Sequence, residues 1–152
     1  MDTNPHLTIE QHRDVVAKVI GHKANLSGKE AEDKIEIFLK QNNIPYKREK
    51  TGKKQIDFIC YPNSPKAIYA DSKSLNVGGT ADEKIPHTAR KYARHYGVDK
   101  IYIIRGKLDF RGDVYEHLEE MKETMNIETI VMTMTEFFLM LLDIDEPEGN
   151  FF

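Results

Sequence analysis

The sequence has little cysteine and no long hydrophobic run. Its single cysteine, Cys60, excludes an internal disulfide and a zinc site built from cysteines. The six histidines show no ligand spacing, so no zinc site is expected. No apolar run approaches the roughly 20 residues that span a bilayer, and the first residues lack an apolar signal-peptide core. We therefore expect a cytoplasmic protein without a membrane partner.

The chain also lacks internal repeats and low-complexity linkers, so residues 1–152 are expected to form one domain. A chain of 152 residues can bury a substantial core. Apolar residues make up 39% and charged residues 31%, which is typical of a globule with a polar surface. Within this domain we expect an N-terminal helical extension at 1–25, a core at 28–105 and an acidic tail at 143–152.

Charge is distributed unevenly along the chain. The first 100 residues carry 18 Lys and Arg against 13 Asp and Glu, a balance of +5. Residues 101–152 carry 4 against 12, a balance of −8. A polyanion would be attracted to the first part and repelled by the second, although an ordinary solvated surface accounts for the same counts.

Hydrophobic periodicity predicts alternating helices and strands. Ala31, Ile35, Phe38 and Leu39 form one stripe of a helix within 27–43, with Ser27 and Glu30 at capping-box spacing. Further segments are predicted as strands at 44–50, 55–61, 67–75, 99–106 and 127–133, and as helices at 80–97, 114–126 and 135–142. This order predicts an α/β fold, in which a mixed central sheet is flanked by helices.

Two helices within this pattern raise their own questions. Pro86 lies too far into 80–97 for the first helical position, so that helix either starts late or kinks. Gly97 is expected to end it. The helix at 135–142 is apolar on all sides, which fits either a core helix covered by the N-terminal helix or a surface buried by a second subunit.

Two carboxylates are expected to meet on neighbouring strands. The turn after Cys60 is short, and counting from its centre places Asp57 opposite residues 70–71. Adjacent carboxylates repel unless a cation binds between them, and Mg²⁺ prefers carboxylate and carbonyl oxygens. Asp57, Asp71 and the backbone carbonyl of Ser72 are therefore the candidate ligands.

Two further charged groups are expected near these carboxylates. Lys73 shares a strand face with Asp71, where it would polarise or deprotonate a water or hold a phosphate oxygen. Glu32 on the preceding helix shares the stripe of Ile35 and is expected to point at the same site. Glu30 and Glu36 are the alternatives for this helical acid.

This pattern resembles the PD-(D/E)XK nuclease superfamily, which includes type II restriction endonucleases, archaeal Holliday-junction resolvases and some homing endonucleases. The matching residues are Glu32, Ile56-Asp57 and Asp71-Ser72-Lys73, and the resemblance extends from 28 to about 105 through the order αβββαβ. Ile56 stands where the family motif has proline. The resemblance implies a restriction-endonuclease-like core.

The resemblance also implies an activity. It predicts a Mg²⁺-dependent, site-specific endodeoxyribonuclease of the restriction type that leaves 5′-phosphate and 3′-hydroxyl ends, with Mn²⁺ expected to substitute. Asp57 and Asp71 would bind the metal, Lys73 would orient or activate the attacking water, and Glu32 would assist at the metal. The expected partners are double-stranded DNA and a second copy of the chain, since two strands need two cuts.

Several alternatives stay open at this point. A homing endonuclease or a Holliday-junction resolvase would belong to the same superfamily. A non-catalytic DNA-binding module would use the same scaffold without cleavage, and a plain interaction protein would neither cut nor bind DNA. Basic and polar residues predicted to contact DNA lie on the first hairpin, after the third strand and along helix 80–97, where a solvated face is the other reading. They are Lys47, Arg48, Lys50, Lys53, Lys54, Ser74, Asn76, Thr80, Lys84, His87 and Lys91, with Arg94 beside the last three.

Overall fold

Nine helices and strands are described in a computed structural model that covers residues 28–49, 56–73, 81–106 and 109–143, with backbone alone at 81–83. The predicted helical extension at 1–25 lies outside these ranges, as does the tail beyond Asp143. The same holds for a group of predicted DNA contacts: Lys50, Lys53, Lys54, Ser74, Asn76 and Thr80.

The helices and strands of the described residues follow the predicted order. In chain order they are α1 (Gly28–Gln41), β1 (Tyr46–Glu49), β2 (Ile56–Cys60), β3 (Ile68–Lys73), α2 (Ala81–Tyr96), β4 (Lys100–Arg105), α3 (Gly112–Met125), β5 (Glu128–Thr133) and α4 (Met134–Asp143). The five strands form one sheet in the order β1-β2-β3-β4-β5. The first three strands are antiparallel neighbours, whereas β3, β4 and β5 run parallel. The predicted mixed α/β sheet flanked by helices is confirmed.

Helices cover both faces of the sheet. On one face, Phe38 of α1 and Phe138 of α4 pack with Phe58 of β2 and Ile104 of β4. The rings of Phe38 and Phe138 stack with their centroids 3.9 Å apart. We call this face the α1/α4 side, and α4 is a core helix on it.

The opposite face is covered by the other two helices. Ile85 and Tyr92 of α2 and Leu118 of α3 pack there with Ile59 of β2 and Ile103 of β4. We call this face the α2/α3 side. Because successive side chains of a strand point to opposite faces, odd-numbered residues of β3 and β4 lie on the α2/α3 side and even-numbered residues on the α1/α4 side.

The ends of α2 answer the question about its proline. The helix begins at Ala81 and Pro86 lies beyond its first turn, so the alternative in which it starts late with Pro86 in the first turn is wrong. Gly97 follows the last helical residue with φ +64, a left-handed conformation that glycine adopts without strain, and this confirms the predicted end. No helix within the described ranges is both long and apolar enough to cross a bilayer.

Candidate active site

Asp57 and Asp71 lie side by side on β2 and β3. The register pairs Phe58 with Ala70 and Ile59 with Tyr69, and continuing it by one residue places Asp57 opposite Asp71. The Asp57 backbone N–H donates to Asp71 Oδ1 at 3.1 Å. In return, the backbone N–H of Ser72 donates to Asp57 Oδ2 at 2.9 Å. The predicted pairing is confirmed, and each carboxylate is held by a main-chain donor of the neighbouring strand.

Both carboxylates are removed from solvent. Asp57 is 9% exposed and Asp71 is 2% exposed. Burial, followed by the neighbouring Asp57 charge, raises the pKa of Asp71 to about 7, and Lys73 opposes the shift. A carboxyl group with such a pKa is costly to ionise in the absence of a cation, so this part of the sheet favours a positive partner.

Lys73 supplies one positive charge at the edge of this site. Its Nζ lies 3.1 Å from Asp71 Oδ2, and its side chain is 37% exposed. Asp71 Oδ2 nevertheless is a buried oxygen without a hydrogen-bond partner within the described part of the chain. The ammonium stands at ion-pair distance from this oxygen and offsets the charge of the carboxylate.

Tyr92 of α2 completes the surroundings of Asp71, and sequence reasoning missed it. Its hydroxyl donates to Asp71 Oδ1 at 3.3 Å, and the residue is 5% exposed. Burial and the nearby Asp71 charge raise the pKa of Tyr92, so the hydroxyl stays protonated and remains a donor. A signal was present, because Tyr92 continues the helical stripe of Ile85 and Ala89, but a tyrosine in such a stripe is more simply interpreted as core.

The structure does not bring Glu32 to the two aspartates. α1 packs on the α1/α4 side, whereas Asp57 and Asp71 lie on the α2/α3 side beside Tyr92. Glu32 forms a close ion pair with Arg48 instead. The predicted stripe is correct, but it faces the other side of the sheet. The expectation that Glu32 points at the same site is therefore wrong in this structure.

Arg48 is enclosed between α1 and the sheet. It pairs with Glu32 and lies 3.4 Å from Glu36 Oε1, and its Nε donates to the backbone carbonyl of Asp57 at 3.0 Å. The guanidinium carbon lies 4.5 Å from the Phe58 ring centroid, and the side chain is only 19% exposed. Arg48 thus supports the β2 backbone from behind, and we do not retain it as a DNA contact.

The two alternative helical acids also lie on α1. Glu36 accepts a hydrogen bond from the Tyr46 hydroxyl at 2.5 Å. This hydrogen bond, helped by Arg48, lowers the pKa of Glu36. Glu30 is partly buried in the first helical turn. The ranges that the structure covers contain no cluster of three or more His, Cys, Asp or Glu suited to a metal. Neither Glu30 nor Glu36 therefore forms a metal site with the two aspartates.

The other described candidates for DNA contact remain at the surface. Lys47 is 55% exposed and lies 3.5 Å from Glu49. Lys84 and His87 are exposed on α2, and Lys91 is partly buried with its Nζ 5.8 Å from the Tyr92 ring centroid. Arg94 is exposed as well. Their roles stay predictions.

The donor set at the two aspartates fits a small, hard divalent cation. Mg²⁺ is commonly held by one or two carboxylates and keeps several waters, so a third acidic residue is not required. The buried Asp71 Oδ2 without a hydrogen-bond partner among the described residues is the group that such a cation would satisfy. Asp57 and Asp71 would hold it, and the backbone carbonyl of Ser72 stays a predicted additional ligand.

Comparison with protein-family models and with curated protein sequences finds no match to this chain. Its function is therefore inferred from the site itself.

Proposed function

We propose that this protein is a Mg²⁺-dependent endodeoxyribonuclease of the PD-(D/E)XK type that hydrolyses phosphodiester bonds of double-stranded DNA. The observation that supports this best is the pair of buried aspartates on adjacent strands, with Lys73 beside one of them. The Asp71 carboxylate accepts from the Asp57 backbone N–H and the Asp57 carboxylate accepts from the Ser72 backbone N–H. Lys73 Nζ lies 3.1 Å from Asp71 Oδ2. Acid on one strand and acid-x-Lys on the next is the motif of that superfamily.

The order of secondary structure gives independent support. From α1 to β4 the chain follows αβββαβ, with three antiparallel strands followed by a strand parallel to the third. This is the order expected of a restriction-endonuclease-like core. The candidate residues sit on strands inside the sheet, where packing and backbone hydrogen bonds preorganise them for chemistry.

The reaction would be direct hydrolysis. A water oxygen forms a bond to phosphorus, the bond from phosphorus to the 3′-oxygen breaks, and a proton passes to that leaving oxygen, so that 5′-phosphate and 3′-hydroxyl ends result. Mg²⁺, when bound, would supply positive charge for the phosphate and lower the pKa of a coordinated water. Asp57 and Asp71 would provide its carboxylate ligands.

Lys73 and Tyr92 have distinct parts in this scheme. Lys73 is partly exposed, so its ammonium can reach both Asp71 and a water or phosphate oxygen at the site entrance. Tyr92 is buried behind Asp71 and donates to Oδ1, which fixes the orientation of that carboxylate. Lys73 is thus a proposed catalytic residue, and Tyr92 is a positioning residue.

We favour a site-specific, restriction-type enzyme that acts as a homodimer, with Mn²⁺ able to replace Mg²⁺. One domain carries one candidate site, and cutting both strands at one position needs two sites related by two-fold symmetry. Homing and junction-resolving activities use the same chemistry on other DNA, so a substrate panel separates these three possibilities.

The test is DNA cleavage by the purified chain and by two lysine variants. Plasmid, phage DNA and a synthetic four-way junction are incubated with Mg²⁺ or with EDTA. Lys73→Ala is expected to lower the cleavage rate about 100-fold or more, because a positioned charge at the reacting atoms is lost. Lys66→Ala is the matched control, since Lys66 is an exposed lysine in the turn at the other end of the same hairpin.

Each result has a definite meaning. Discrete fragments that require Mg²⁺ and disappear with Lys73→Ala support the proposal. A continuous smear supports nuclease activity and contradicts site specificity. Preferential cutting of the four-way junction identifies a resolvase. Binding without cleavage of any substrate indicates a non-catalytic DNA-binding module. An absence of binding even at low salt, where basic surfaces bind DNA most strongly, indicates an interaction protein.

A further inference from the structure

A second cation stands beside Lys73 at the same end of the sheet. The parallel pairing of β3 with β4 places Lys73 opposite Arg105, at the last residue of each strand. Neighbouring strands are about 4.8 Å apart. Ile101 and Ile103 of β4 pack on the α2/α3 side, so alternation puts Arg105 on that side too.

The proposed site is therefore part of a longer row of charges. Asp57 lies on β2, Asp71 and Lys73 lie on β3, and Arg105 lies on β4. All four project from the α2/α3 side of three adjacent strands. The row changes from negative to positive across the sheet. This suits a DNA strand whose scissile phosphate lies at the metal-binding end and whose next phosphate lies at the basic end.

Arg105 is held in a defined position by its own loop. Its Nη1 donates to the backbone carbonyl of Gly106 at 3.0 Å, and its Nε lies 3.5 Å from Asp109 Oδ1. The same oxygen accepts hydrogen bonds from Tyr115 and from the backbone of Phe110. The Arg105 side chain is 20% exposed, and that of Asp109 is 56% exposed.

We infer that Arg105 binds a phosphate of the DNA strand that is cut, next to the position at which Lys73 acts. This inference rests on the proposed function. A guanidinium presents a planar fork of donors that matches carboxylate and phosphate oxygens alike. Asp109 holds this fork in place when DNA is absent and competes with phosphate for it. The competing explanation is purely structural, with the Arg105–Asp109 pair serving only to anchor the loop before α3.

The two explanations differ in what they predict for Asp109. If Arg105 binds phosphate, Arg105→Gln weakens DNA binding and Asp109→Asn strengthens it, because a negative charge beside the guanidinium is removed. If the pair only anchors the loop, both substitutions disturb the same contact and weaken binding together. Arg105→Lys keeps the charge but loses the fork, so it is expected to recover part of the affinity.

The experiment measures binding of a fluorescent duplex by anisotropy in EDTA, which prevents cleavage, over a series of salt concentrations. Each phosphate contact contributes about −0.9 to the slope of log K against log salt. Arg105→Gln is expected to weaken binding about tenfold at low salt and to make the slope shallower by about one. Lys100→Gln at the opposite end of β4, 50% exposed, is the matched control and is expected to leave the slope unchanged.

Two results overturn the inference if the wild-type chain binds and cuts DNA. One is an unchanged salt slope for Arg105→Gln, and the other is an equal loss of DNA affinity for Arg105→Gln and Asp109→Asn. A wild-type chain that neither binds nor cuts DNA overturns the proposed function, and the inference with it. Thermal unfolding of each variant verifies that its fold is retained.

Discussion

Replacing Asp71 by asparagine is expected to stabilise the metal-free protein above neutral pH. The pKa of Asp71 is about 7 in the folded protein against an ordinary value of 3.8. Below about pH 3 the carboxyl is protonated in the folded and the unfolded chain, so it has no effect on stability. As the pH rises, the unfolded chain releases its proton first and the free energy of unfolding falls. By pH 8 the loss reaches about 4 kcal/mol.

Asparagine recovers only part of this energy. Its side-chain oxygen can still accept from the Asp57 backbone and from the Tyr92 hydroxyl, as Asp71 Oδ1 does. Its amide group, however, takes the place of Oδ2 and directs a donor at the Lys73 ammonium, which costs about 1–3 kcal/mol. The net gain at pH 8 is therefore about 2 kcal/mol, or roughly 4 to 8 °C in Tm for a chain of this size.

Thermal unfolding in EDTA between pH 4 and pH 8 measures this effect, with Asp33→Asn as the control. Asp33 is an exposed aspartate of α1, so its replacement should leave the pH profile unchanged. The advantage of Asp71→Asn should vanish near about pH 5. At pH 8, Mg²⁺ should raise the Tm of the wild-type chain and not that of the variant. An Asp71→Asn variant that is less stable than wild type at pH 8 would refute the reasoning. So would a stability difference between variant and wild type that does not change with pH.

Two further substitutions test the core and the surroundings of Asp71. Phe138→Ala should reduce the free energy of unfolding, measured in urea, by about 3–5 kcal/mol, because it removes a fully buried ring stacked on Phe38. Its control is Ile37→Ala at a 47% exposed position, which should change this free energy by less than about 1 kcal/mol. Tyr92→Phe removes a donor to Asp71 worth about 1 kcal/mol, so the Mg²⁺ concentration for half-maximal cleavage should rise about fivefold. An unchanged Mg²⁺ requirement would exclude a positioning role for Tyr92.

The pairing of Asp57 with Asp71 could be predicted from the sequence because it depends on local features. A short turn fixes the centre of the hairpin, and strand alternation then fixes which residues share a face. Both are readable from the residues between Asp57 and Lys73. The overall order of helices and strands was predictable for the same reason, since each segment carries its own periodicity.

The position of Glu32 was not predictable in this way. A helical stripe identifies the residues that face a sheet, but it does not tell which of the two faces the helix covers. α1 covers the α1/α4 side, so Glu32 binds Arg48 and remains separated from Asp57 by the strand backbone.

Arg105 was missed because its place beside Lys73 follows from a parallel register across a helical crossover, which no local pattern specifies.

The hairpin that joins the two aspartates has a consequence for how the protein folds. The contact between Asp57 and Asp71 spans 14 residues, whereas that between Tyr92 and Asp71 spans 21 and requires α2 to dock. Closing the shorter loop costs less entropy, so the hairpin can form before the crossover is complete. At that stage both carboxylates are still hydrated, and water weakens their repulsion. The electrostatic cost of the site therefore arises when α2 excludes water from it, rather than when the two strands first meet.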